Sequence, residues 1–287
     1  MIANPENTEF ARSHRIAESL QRVLLRSPPS EALPGISLEA FYEAALEEST
    51  VGGDSFDAFA LSGGRVALVV ADASGKGLAA AERVAEIRFA IRAFLYEHRD
   101  PRHALSRLNE FVYEVQRLGS RDEGAFATLT LVVLNCATGE AVCLCAGGEP
   151  PLALRTDGFV EVLETSGPAL GIFAEQRYDA KTVFLEEGDT VLLATDGLTE
   201  ARRFLQKGPS GYRSGPFLGL EGLKRLAIAA HYVQARSIHP PDPSASLRHL
   251  GRSVFEGARN FAGGTFHDDV CLLVARRDVK QSRSMSV

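Results

Sequence analysis

The sequence predicts an α+β fold: two antiparallel β-sheets packed on each other, with helices on the outside. Three observations carry that prediction. Apolar runs of strand character come in clusters joined by short glycine turns, as in Phe56–Leu61 and Arg65–Ala71 around Ser62-Gly63-Gly64. Helical segments arrive as adjacent pairs rather than alternating singly with strands, which argues against a parallel sheet. Apolar residues make up 45% of the 287, ordinary for a chain with a real core.

Taken in order, the segment from about Phe10 to Leu25 reads as a helix with Ile16, Leu20, Val23 and Leu24 on one face. The prolines that follow it end the helix, because each removes a donor and fixes φ. So short a stripe fits two roles equally: packing on the domain's own surface, or dimerisation and signal reception. Strand character begins near Leu38. Gly77 to His98 reads as a helix burying Val84, Ile87, Ile91, Phe94 and Leu95, and Asp100-Pro101 starts a second one running to about Leu118. Ala127–Asn135, Glu140–Ala146 and Leu152–Arg155 read as strands, and Thr182–Leu185 is expected to pair with Thr190–Thr195 across Glu186–Asp189. Helices at Leu220–Ala235 and Ser244–Arg259 precede a final strand, Val270–Ala275. This gives an N-terminal helix and linker (1–33), one domain (34–277) and a polar, disordered tail (278–287).

Composition excludes several classes. A net charge of -6 is wrong for a general nucleic-acid binder. No apolar run reaches membrane-span length, and the N-terminus lacks a signal-peptide layout, so a cytoplasmic protein is expected. Cys136, Cys143, Cys145 and Cys271 lie in apolar runs without zinc-ligand spacing and read as core filler.

The acids carry the chemistry. Asp54 and Asp57 lie in a glycine-led segment, Val51-Gly52-Gly53-Asp54-Ser55-Phe56-Asp57. Asp72 ends a strand and enters Ala73-Ser74-Gly75-Lys76-Gly77. Asp196 ends another strand before Gly197, and Asp268 and Asp269 begin the last. A carboxylate at the end of an apolar strand is costly to bury unpaired, and several meeting at one sheet edge would repel unless a cation neutralised them. All-oxygen ligation suits hard divalent ions, and a pair of such ions can direct a water at phosphorus. One Asp-Gly is merely a turn; the whole set is harder to read that way.

These motifs, in this order, resemble the stage II sporulation protein E / RsbU branch of the PPM-type (type 2C) metal-dependent serine/threonine phosphatases. The matching stretches are VGGDSFDAF (51–59), VVADASGKGLAAAERVAEIR (69–88), ATLTLVVLN (127–135), CAGGEPPLALR (145–155), GDTVLLATDGLTEA (188–201) and HDDVCLLVARR (267–277), and the likeness spans about residues 20–277. The resemblance implies a PPM-like two-sheet sandwich and a phosphoserine/phosphothreonine phosphatase using two Mn²⁺ or Mg²⁺ ions. The implied substrate is a phosphorylated anti-sigma-factor antagonist in bacterial partner-switching. It implies that Asp72 bridges both ions and that the Ala73 carbonyl binds one. Asp196 and Asp268 would hold the first ion. Asp54, with Asp57, would face the second through water, and Asp269 would support the shell. Lys76, Arg202 and Arg203 are weaker candidates for substrate contact, and the N-terminal helix for homodimerisation. One departure stands out: the family's AGHxPP reads Ala146-Gly147-Gly148-Glu149-Pro150-Pro151, without the histidine. A catalytically weak docking module of the same fold is the alternative, and a nucleotide phosphohydrolase a weaker third, since no base-stacking aromatics accompany the site.

Overall fold

The computed structural model describes residues 32–45, 52–75, 78–119, 125–208, 211–236 and 243–279. The expected helix of Phe10–Leu25 and the turn at Lys76-Gly77 lie outside the described residues.

Two five-stranded sheets, antiparallel throughout, form the middle of the molecule. The first has the order β1 (Ile36–Glu43), β12 (Val270–Arg277), β9 (Thr190–Ala194), β6 (Leu152–Leu154), β7 (Val160–Val162). The second has the order β2 (Asp54–Leu61), β3 (Arg65–Ala73), β4 (Ala127–Asn135), β5 (Glu140–Ala146), β8 (Lys181–Phe184). Helices α1 (Leu78–Glu97) and α2 (Pro101–Leu118) cover the second sheet. A one-turn helix, α3 (Asp196–Thr199), follows β9, and α4 (Gly219–Ala235) and α5 (Pro243–Ala262) cover the first sheet.

The layers follow from the period of two along each strand. On β2, Phe59 and Leu61 join the core shared with Ile87, Ile91, Leu105 and Leu108 of the helices. Phe56 and Ala58 face the other way, into the core between the sheets, where they meet Leu193 and Leu273. On β9, Leu192 and Ala194 pack toward Leu247 and Leu250 of α5, while Val191 and Leu193 enter the inter-sheet core. Each fully buried aliphatic side chain of this kind stabilises by about 1.5–3 kcal/mol relative to exposure. The start of α2 is as its sequence predicts: the Asp100 side chain accepts from the Arg102 N–H, with Pro101 in the first turn.

Two expectations need correction. β8 and β9 do not pair with each other. β8 adds to β5 and β9 lies between β6 and β12, so Glu186–Asp189 carries the chain from one sheet to the other. The reason is the buried Asp189 carboxylate, which accepts from Arg155 Nη1 at 2.9 Å and from the N–H groups of Thr156 and Glu186. Those bonds tie the turn to the loop after β6 instead of closing a hairpin. Beyond Arg203 the chain forms a hairpin of β10 (Phe204–Gly208) and β11 (Gly211–Ser214) with a register shift between Leu205 and Lys207. Asp278, expected in the tail, is fastened by its N–H to the Gly35 carbonyl, and its carboxylate accepts from the Ser37 hydroxyl.

Removing one partner of a buried ion pair strands the other. Asp189→Ala is therefore expected to lower stability by about 3 kcal/mol, read as a shift in urea midpoint at unchanged slope.

Candidate active site

β2 and β3 pair with Asp54 directly opposite Asp72, and both side chains lie on the inter-sheet face by parity with Phe56, Ala58, Leu68 and Val70. β9 and β12 of the other sheet end at the same edge. There Asp196 opens α3, and Asp268 and Asp269 precede the last strand rather than beginning it. Asp54 is buried, Asp72 and Asp196 are half-buried, and Asp268 is exposed. The acids thus grade from the inter-sheet core out to solvent.

Their electrostatics reflect that crowding. Burial raises the Asp54 carboxyl well above its usual range, and the facing Asp72 raises it further, against a lowering hydrogen bond from Thr195. Asp72 is pushed up to about 7, first by burial and then by Asp196 and Asp268. Asp196 is raised by burial, with Glu200, Asp268 and Glu149 adding to it. Like charges at such a site stay partly protonated unless a cation offsets them.

The residues fit a hard divalent ion in two respects. The donors are carboxylates with no thiolate or imidazole among them, the set such ions prefer. The backbone also leaves space at the centre: a Cβ on Gly53 would fall 2.5 Å from the Ala73 carbonyl oxygen and 2.9 Å from Asp72 Oδ1. Glycine is therefore required where this backbone passes the acids. Among the described residues no three acidic, histidine or cysteine side chains already converge into a closed shell.

The remaining candidates sort by their contacts. Asp57 is corrected: it lies on the opposite face of β2 from Asp54, and its carboxylate accepts from Arg88, from two nitrogens of Arg92 and from the Ala58 N–H. Its charge is neutralised within the helical layer, so it does not face the cluster. Asp269 accepts from the N–H groups of Ala45 and Gly53, so it holds the end of β1 and the Gly53 turn in place. Arg202 stacks over Phe217 at 4.6 Å, and the Arg203 side chain lies by Gly263, 3.6 Å from where its Cβ would be. Lys76 lies outside the described residues. Cys143, Cys145 and Cys271 are buried, and burial pushes their thiols up, Cys143 to about 12 and Cys145 to about 11, so none is a nucleophile.

Two features were not singled out from the sequence. The Thr195 hydroxyl reaches Asp54 across the two sheets. Glu149 approaches Asp196 and accepts from the Thr199 hydroxyl at 2.9 Å. Both threonines stand inside the TDGLTEA stretch, but nothing in its spacing says which acid a hydroxyl will meet. The missing histidine also has a structural account. A Cβ on Gly148 would lie 2.5 Å from Thr130 Oγ1 and 3.1 Å from the Leu129 carbonyl carbon. The Thr130 hydroxyl is engaged there, donating to the Glu149 carbonyl at 2.8 Å. The cleft alongside, lined by Thr130, Glu149, Thr195 and Asp196, is about 10 Å³, roughly one water's worth.

The family model for stage II sporulation protein E (SpoIIE) matches residues 62–278. Protein IcfG of Synechocystis sp. is 27% identical over 187 residues, covering 58% of this chain and 29% of its own length. The phosphoserine phosphatase RsbU of Bacillus subtilis is 26% identical over 274 residues, covering 94% of this chain and 72% of its own. The crystal structure of the RsbU and RsbW domains of a Mycobacterium tuberculosis protein aligns with TM-score 0.68 and 28% identity, over 87% of this chain and 62% of that one. The chain therefore spans under a third of IcfG and less than two thirds of the mycobacterial chain.

Two outcomes follow from the site. The folded protein keeps on Asp72 a proton that the unfolded chain releases near 3.8, up to about 7. Its stability therefore falls as pH rises through that interval. In chelator, the melting temperature is expected to drop between about pH 4 and 7. Asp72→Asn should flatten that drop, and Mn²⁺ should raise the melting temperature most at pH 8. Gly148→His is expected to overpack the site and cost about 1–3 kcal/mol, measured by denaturant unfolding, without raising turnover.

Proposed function

Because the chain belongs to the stage II sporulation protein E family, we propose that it is a metal-dependent phosphatase acting on phosphoserine or phosphothreonine in a protein. The observation that carries this reading is the meeting of Asp54, Asp72, Asp196 and Asp268 from both sheets at one edge, where burial and mutual repulsion raise the carboxyls of the first three above their usual range. Asp72 and the Ala73 carbonyl, with Asp196 and Asp268, are the groups that would hold the ions, and Asp54 would act through water. Two Mn²⁺ or Mg²⁺ ions, when bound, would supply the positive charge that acidifies a water and covers the phosphoryl oxygens. Asp269 keeps the Gly53 turn against Asp72 and Ala73, so the backbone cannot swing into the space between the acids. Asp57 with Arg88 and Arg92 anchors α1 to β2, steadying the same strand from behind.

The substrate this reading favours is a small phosphorylated anti-sigma-factor antagonist domain. Support comes from the phosphoserine phosphatase RsbU and from the mycobacterial relative, in which an RsbU domain accompanies an RsbW domain. A cytoplasmic location and homodimerisation through the helix that the sequence predicts at Phe10–Leu25 belong to the same reading. No helix among the described residues is long and apolar enough to cross a membrane. A second reading, a docking module with little turnover, draws on Gly148, where the packing leaves no room for a histidine.

Hydrolysis of p-nitrophenyl phosphate and of a phosphoserine protein is expected with Mn²⁺ or Mg²⁺ and not in chelator. Asp72→Asn should lower turnover by more than about 100-fold, beyond what losing a merely supporting group costs. A folded protein without turnover under any metal would favour the docking reading.

A further inference from the structure

We propose that Thr195 is a positioning residue that fixes the Asp54 carboxylate for cation binding, a role that rests on the metal-dependent reading above. The direction of its hydroxyl proton is settled by its surroundings. The Cys271 N–H donates to Thr195 Oγ1 at 2.9 Å, so that lone pair is taken and the hydroxyl's own proton must go elsewhere. Two acceptors are in reach: Asp54 Oδ2 at 2.6 Å and the Cys271 carbonyl at 3.5 Å. The first lies within the usual O–H···O range of about 2.5–3.0 Å and the second outside it. Thr195 therefore donates to Asp54.

The bond joins residues 141 apart in sequence, linking the end of β9 in one sheet to the start of β2 in the other. Both partners are buried, at 4% and 5% exposure, so water does not compete for it. The donor is itself rigid. The Thr195 N–H donates to the Cys271 carbonyl at 3.1 Å, and a β-branched side chain has few rotamers to explore. Asp54 stands directly across the strand pair from Asp72, which repels it when both are ionised. With Oδ2 held by Thr195, Asp54 cannot rotate away from Asp72, and the two carboxylates stay adjacent before any ion arrives. Groups that orient metal-binding side chains in this way typically change affinity by about 10–100-fold.

The test is calorimetric titration of the full chain with Mn²⁺, alongside circular dichroism and thermal melting. Thr195→Val keeps the shape and removes the hydroxyl; it should weaken Mn²⁺ binding by about tenfold or more. Thr195→Ser, which restores the donor, should recover most of the affinity. Thr190→Val deletes a buried hydroxyl from the far end of the same strand and should lower the melting temperature while leaving Mn²⁺ affinity intact. Should Thr195→Val not fold, Thr195→Ala, with room for a water on the Cys271 N–H, is read in its place. Unchanged affinity in the folded Thr195 variant, with binding lost in Asp72→Asn, overturns the role of Thr195 alone. An equal loss in Thr190→Val also overturns it, by tracing the effect to general destabilisation. Unchanged affinity in Asp72→Asn overturns both this role and the metal-dependent reading.

Discussion

The structure turns on the repulsion between carboxylates that its own strand pairing places together. Asp54 and Asp72 are cross-strand partners at the end of β2 and β3, and Asp196 and Asp268 join them from the other sheet. Two like unit charges about 4 Å apart at an effective dielectric near 20 repel by about 4 kcal/mol. That is a large fraction of the stability of an ordinary domain. The proton that Asp72 keeps up to about pH 7 relieves this repulsion, and the three apolar layers, one between the sheets and one under each helix pair, offset what remains.

Two aspartates of one strand show how a protein treats a buried charge according to its purpose. Asp57 and Asp54 are three residues apart on β2 and so point to opposite faces. Asp57 is met by two arginines and a backbone N–H, a complete neutralisation that fastens helix to sheet. Asp54 receives one hydroxyl and faces another acid. A group neutralised by the protein has no further use for a cation; one left in deficit does. The contrast separates a structural acid from a ligand more sharply than their shared segment, Gly53-Asp54-Ser55-Phe56-Asp57, suggests.

The departure at Gly148 is absorbed by packing rather than left as a hole. Thr130 turns its hydroxyl toward the Glu149 carbonyl, and the Leu129 backbone lies 3.1 Å from where a Cβ on residue 148 would stand, closer than ordinary van der Waals contact. A histidine there would press its Cβ into Thr130 Oγ1 and against the Leu129 backbone of β4. Glu149, next in sequence, meanwhile comes close enough to Asp196 to raise its carboxyl. The segment thus contributes an additional acid where a histidine was expected.

The sequence by itself determined the elements and the acids. Ala127–Asn135, Glu140–Ala146 and Pro101–Leu118 are legible because apolar period, turn glycines and an Asp-Pro cap are local signals. The acids stood out because a carboxylate ending an apolar strand is locally anomalous. Tertiary structure alone decided which strands are neighbours, and hence that β8 and β9 part company at Asp189, whose partners Arg155 and Thr156 lie over thirty residues away in sequence. It also decided that Asp57 belongs to Arg88 and Arg92, that Thr195 belongs to Asp54, and that a side chain at position 148 would meet Thr130 and Leu129. Each depends on contacts between distant parts of the chain. Local periodicity fixes which way a side chain points along its own strand, but not what the other sheet or the covering helix brings to meet it.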